Sequence, residues 1–101
     1  MYGPRQFGTW AGGDVSARDY AHLRIGGRYR VTEEFRDFDG DVHPVGETWT
    51  FLGYSFLPYE DGLSLFVSLD GEQEWQIRLQ HRPEGQGGMI EHIATFIAPA
   101  D

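Results

Sequence analysis

Residues 56 to 80, FLPYEDGLSLFVSLDGEQEWQIRLQ, limit the possible folds more than any other part of the sequence. Leu63, Leu65, Val67 and Leu69 recur every second residue, and Trp75, Ile77 and Leu79 do the same after an Asp70-Gly71 turn signal. Period-two alternation describes strands with one buried face, so the stretch predicts a β-hairpin. A two-residue Asp70-Gly71 loop would set Leu65 opposite Gln76 and Val67 opposite Glu74, mixing apolar and polar side chains on one face. A three-residue Leu69-Asp70-Gly71 loop, closed by Ser68 and Glu72 with Gly71 in the left-handed bulge position, sets Leu65 against Trp75 and Leu63 against Ile77. One face is then wholly apolar, and the outer face carries Ser64, Phe66, Ser68, Glu74, Gln76, Arg78 and Gln80.

Two further strands precede the hairpin. From Arg28 to Phe35, Tyr29, Val31 and Phe35 alternate with Arg28, Arg30, Thr32 and Glu34. From Thr48 to Phe56, Trp49 and Phe51 point inward, and the parity then flips past Gly53 so that Tyr54 and Phe56 follow; glycine at such a place marks a bulge or bend. The connection Arg36 to Glu47, with Asp37, Asp39, Gly40, Asp41 and Pro44, predicts a surface loop, the most acidic in the chain. After the breaker-rich HRPEGQGG, the segment MIEHIATFI fits helical spacing and predicts a helix ending before Pro99, with a fifth strand as the alternative. Residues 1–13 read as a flexible, Gly-rich N-terminal segment and 14–98 as a single β-rich domain, opened by a short helix with Ser16 as cap and Tyr20 and Leu23 on its apolar edge. The order of elements predicts a mainly β fold: a small SH3-like or partly open antiparallel barrel of four to five strands with a short C-terminal helix.

The segments IGGRYRV, VGETWTFLGYSFLPYEDGLSLFVS and QEWQIRLQHRPE together resemble a small bacterial family known only as a domain of unknown function, over residues 24–97. The resemblance implies bacterial origin and no known activity, so it transfers no catalytic residue.

With 101 residues the chain has room for one core, and without cysteine it has neither a disulfide framework nor a thiolate site. Its net charge of −8, with eight arginines and no lysine, disfavours the phosphate backbone of nucleic acid. The charge is uneven: residues 1–36 carry +2 and residues 37–101 carry −10. No stretch has membrane-spanning length and the first residues lack a signal-peptide pattern, so the expectation is a cytoplasmic protein with no membrane partner.

Several candidate chemistries fail on spacing. The Asp37-Phe38-Asp39-Gly40-Asp41 run departs from a calcium loop, because its glycine comes too early and its twelfth position is Thr48. His43, His81 and His92 with Glu47 and Glu91 lack compact ligand spacing and read as surface residues, so no metal or other cofactor is expected. Glu60 and Asp61 are neighbours on one loop, where carboxylates stay ionised. Arg78 and Gln80 share the outer face and can pair with Glu74 and Glu60. Tyr54, Phe56, Tyr59, Phe66 and Phe38 either form an aromatic surface among carboxylates or are covered as a second core layer by the terminal helix or the N-terminal segment.

The leading expectation is a non-enzymatic binding module that offers Asp37, Asp39, Asp41, Tyr54, Tyr59, Glu60, Asp61, Arg78 and Gln80 to a basic peptide or protein. Alternatives are an immunity-type inhibitor of a basic toxin, a small-ligand or hydrolytic enzyme using Glu60/Asp61 or His43, and a homo-oligomer burying Phe66 and Trp75.

Overall fold

A computed structural model of the chain describes residues 1–6, 19–57, 62–82 and 85–100. In chain order its elements are strands β1 (Tyr2–Gln6), β2 (Arg28–Val31), β3 (Phe35–Arg36), β4 (Val42–His43), β5 (Thr48–Leu57), β6 (Gly62–Ser68) and β7 (Gln73–Gln80), short helices α1 (Gly87–Glu91) and α2 (Ile93–Phe96), and strand β8 (Ile97–Pro99). The fold is mainly β. Antiparallel pairing builds a sheet of order β1-β7-β6-β5-β2-β8, and β3 and β4 form a separate two-stranded hairpin. With β1 and β8 at opposite edges, the sheet stays open, the partly open form of the expected architecture. Among the described residues, no helix is long and apolar enough to cross a membrane.

The central hairpin keeps its apolar face but lies two residues further along than the loop argument places it. Leu65 faces Ile77, Leu63 faces Leu79 and Val67 faces Trp75. The reason is local hydrogen bonding. The Ser68 hydroxyl accepts from the Gly71 N–H at 2.8 Å and donates to the Gln73 carbonyl at 2.6 Å. One Asp70 carboxylate oxygen accepts the amides of Glu72 and Gln73 at 2.8 and 2.9 Å. These side chains stabilise a wider turn through Gly71, whose φ is +80°, and leave Leu69 exposed outside the ladder.

Gly53 makes the bend that the parity flip predicts. The ladder to β6 runs from Phe51–Val67 to Gly53–Phe66 with a bulge between them, and Gly53 has a φ of +153°. Trp49 and Phe51 before it are buried, and Tyr54 after it packs half-buried against the same core.

Three expectations are corrected. Tyr20 to Leu23 form a tight turn, closed by reciprocal backbone bonds of 3.0 and 2.7 Å, where a helix is predicted. The Asp19 carboxylate spans this turn by accepting the Ile25 N–H at 2.9 Å and by pairing with Arg24. The strand from Arg28 to Phe35 breaks at Thr32, because the Thr32 N–H bonds the Phe96 carbonyl at 2.7 Å and its hydroxyl bonds that of Thr95. On the supposedly outer face Phe66, Ser68 and Glu74 are buried, so the sheet is covered on both sides there.

At the C-terminus helix and strand both occur, in series. Met89, Ile90 and Ile93 bury the helical stripe; His92 interrupts it, and Ile97 turns to extended backbone and pairs with Val31. At the other end, Tyr2–Gln6 pairs with Gln73, Glu74 and Gln76 of β7. Its own sequence lacks alternation, and the strand is recruited by the free edge of β7.

Candidate functional site

The acidic segment between β2 and β5 folds as a hairpin with an interior. Phe35 pairs with His43 and Arg36 with Val42, so parity turns Phe35 and His43 inward and Arg36 and Val42 outward. The Phe35 and His43 rings stack at 4.7 Å between centroids, 11° from parallel.

Asp37 continues the inward parity. Its Oδ1 accepts the Asp41 N–H at 3.0 Å and closes the turn, while its Oδ2 lies 2.8 Å from His43 Nε2. The other ring nitrogen, Nδ1, lies 2.6 Å from Glu47 Oε2. Glu47 is brought back by the turn from Pro44, which is anchored to β2 by the Gly46 N–H to Val31 carbonyl and Val31 N–H to Glu47 carbonyl bonds of 2.9 and 2.8 Å. The Trp49 indole donates to the same Glu47 oxygen at 3.3 Å. Behind Asp37, the Met1 ammonium donates to Asp37 Oδ2 at 2.7 Å and also to the Asp41 carboxylate.

An imidazole between two carboxylates can satisfy both only as the imidazolium, with each nitrogen donating. Burial by itself would lower the His43 pKa; the bonds to Glu47 and Asp37, and their charges, outweigh it and raise the value above 6.5. For Asp37 burial pulls upward, and the bonds from the ammonium, His43 and the Asp41 amide outweigh it, so its pKa is lowered. His43 is 1% exposed and both of its nitrogens are engaged, which leaves no atom for a substrate proton. The arrangement ties the β3–β4 hairpin to the turn that carries Glu47. Among the described residues, no group of three His, Cys, Asp or Glu side chains could hold a metal ion.

Outside this interior, the hairpin tip is fastened to β7. The Phe38 N–H donates to the Arg78 carbonyl at 2.7 Å, and Arg78 Nε donates to Asp39 Oδ2 at 3.0 Å, with a second bond from its terminal nitrogen. The Arg78 guanidinium carbon lies 5.8 Å from the centre of the Phe38 ring. Asp39 is held below the usual carboxylate range chiefly by its bond to Arg78. Phe38 is nonetheless 54% exposed, Val42 44% and Val45 64%.

Of the residues expected to form a binding surface, Asp37, Asp39, Asp41 and Arg78 are brought together, with Asp37 buried and unable to touch a partner. Tyr54 is elsewhere, against Tyr20 at 4.8 Å on the core side of the sheet. Gln80 ends β7, where its N–H donates to the Gln86 side chain at 2.8 Å. Tyr59, Glu60 and Asp61 lie outside the described residues. His43, buried against Asp37 and Glu47, corrects the reading of that histidine as a surface residue, whereas His81 and His92 are exposed as expected. The signal for His43 and Glu47 was the parity that carries Phe35 and Asp37 inward together and the i, i+4 spacing across the Pro44 turn.

A family model described as a domain of unknown function, DUF3601, matches residues 16–98. A solved integron cassette protein from the mobile metagenome of Vibrio cholerae is 37% identical and superposes with a TM-score of 0.81, covering 86% of this chain and 96% of its own. None of the curated proteins matches the sequence.

Proposed function

The chain belongs to the DUF3601 family, a domain of unknown function, and we propose that it is a non-enzymatic binding module whose β3–β4 hairpin engages a basic peptide or protein. One observation carries this reading: Phe38, Val42 and Val45, large and apolar, stand exposed on a single segment that a buried ion network holds from beneath. Apolar side chains on a preorganised support lose little entropy on binding, which is what an anchor for a partner requires.

The charge supplies selection. Asp39 and Asp41 already have partners within the molecule, so the attraction for a cationic partner comes from the field of a chain carrying −8 rather than from free carboxylates. Such a field acts over a screening length of about 8 Å at physiological salt and chiefly speeds encounter. The aliphatic stems of arginine or lysine on the partner suit Phe38, Val42 and Val45. Tyr59, Glu60 and Asp61 belong to the proposed surface on their chemistry alone.

The test is selection of displayed Arg/Lys-rich peptides on the wild-type protein, followed by calorimetric titration of the enriched sequences. The Phe38→Ser/Val45→Ser double variant is expected to bind at least about tenfold more weakly, and added salt to slow association more than it speeds release. A Tyr59, Glu60, Asp61 triple alanine variant measured alongside tests the second loop. Failure to enrich any peptide, or equal affinity for the double variant, overturns the proposal.

A further inference from the structure

We propose that His43, held between Asp37 and Glu47, is the charge that keeps the β3–β4 hairpin closed on the sheet, and that loss of its proton releases the hairpin. As a control on the binding surface this rests on the function proposed above; as a property of the fold it stands alone.

The groups facing the ring come from every side. Phe35 of β3 stacks on it, and Asp37 and Glu47 hold its two nitrogens. The Met1 ammonium and the Asp41 carboxylate stand behind Asp37, and the Trp49 indole stands behind Glu47. With the imidazolium present, two positive charges meet three carboxylates; without it, the ammonium alone faces all three. A neutral imidazole has one N–H and one lone pair. In either tautomer, a carboxylate oxygen at 2.6 or 2.8 Å then confronts that lone pair. The Asp37 side chain is fully buried and cannot be relieved by water in place, whereas Glu47 is 17% exposed and can swing outward. The remaining fasteners at the tip, the Phe38 amide bond, the exposed Asp39–Arg78 pair and the Met1 ammonium on the exposed Asp41 carboxylate, are individually weak. The upward displacement of the His43 pKa agrees with this geometry and places release on the alkaline side.

Two-dimensional NMR of the free protein, titrated from about pH 6 to pH 10, tests the inference with no peptide present, so its failure and that of the binding proposal are separate. The amide signals of Phe38, Gly40 and Val42 are expected to lose dispersion with the same midpoint as the His43 ring, while those of Leu65 and Val67 in β6 stay fixed. Glu47→Gln, which removes one of the two charges, is expected to move that midpoint down by about one pH unit. His43→Gln is expected to abolish the transition that follows the ring, leaving only changes at the higher pH where the Met1 ammonium is lost. Hairpin signals that stay unchanged while His43 deprotonates, or a transition that persists in His43→Gln at the wild-type midpoint, overturns it.

Discussion

Asp37 joins turn and core through one carboxylate. Oδ1 closes the Asp37–Asp41 turn and Oδ2 meets His43 and the ammonium, so a single substitution tests both roles. Asp37→Asn keeps the shape and an acceptor but removes the charge opposite a buried imidazolium, and breaking a buried pair in this way typically costs about 3–5 kcal/mol. Urea denaturation is expected to show a loss near the lower end of that range, because Glu47 remains as the second partner. A change indistinguishable from wild type would mean that the network does not support the fold. Gly53 tests backbone instead of charge: at a φ of +153° beside the bulge, Gly53→Ala is expected to cost about 1–3 kcal/mol by the same measurement. The parity flip made Gly53 legible in the sequence. Asp37 was not legible, because a carboxylate amid other carboxylates looks solvated until the partner ring, six residues away, is placed.

Elements were legible where their own periodicity determined them and illegible where neighbours did. The faces of β6 and β7 follow from alternation, yet their register was set by the Ser68 hydroxyl and the Asp70 carboxylate, which choose the turn. Ser68→Ala is therefore expected to cost about 1–3 kcal/mol, since it removes two hydrogen bonds, from the Gly71 N–H and to the Gln73 carbonyl, each with a net worth of about 0.5–1.5 kcal/mol; the outcome that would refute this is an unaltered urea midpoint. At the C-terminus, periodicity spoke for a helix and was right for Met89, Ile90 and Ile93. It could not report that Ile97 would leave the helix for an edge position beside Val31, because that pairing depends on a strand more than sixty residues earlier. Ile97 is fully buried, and Ile97→Ala is expected to destabilise by about 2–5 kcal/mol. A value under about 1 kcal/mol would show that β8 adds little to the fold. β1 is the same lesson at the other edge, a strand supplied by β7 rather than by its own pattern.

For the whole molecule the ionisable groups oppose each other across the pH scale. Asp37 and Asp39 have pKa values lowered from 3.8, so their contribution is complete above that value and is lost as pH falls through the folded-state values. His43 has a pKa raised from 6.5, so its contribution is complete below that value and is lost as pH rises through the folded-state value. The Met1 ammonium, raised from 8.0, acts the same way at higher pH still. Self-repulsion of an acidic chain adds to the decline on the alkaline side, since net charge grows away from the pI of 4.8. Stability from urea titrations is therefore expected to peak between about pH 4 and pH 6.5 and to fall on both sides. The two sides have different owners, and a single variant separates them. His43→Gln is expected to lower the plateau and flatten the decline that begins above pH 6.5, while removing only the His43 share of the acid limb, because Asp39 keeps Arg78 and Asp37 keeps the ammonium. If the alkaline decline keeps its slope in His43→Gln, diffuse repulsion and not the buried imidazolium governs that side, and the hairpin is held by its packing and its other bonds.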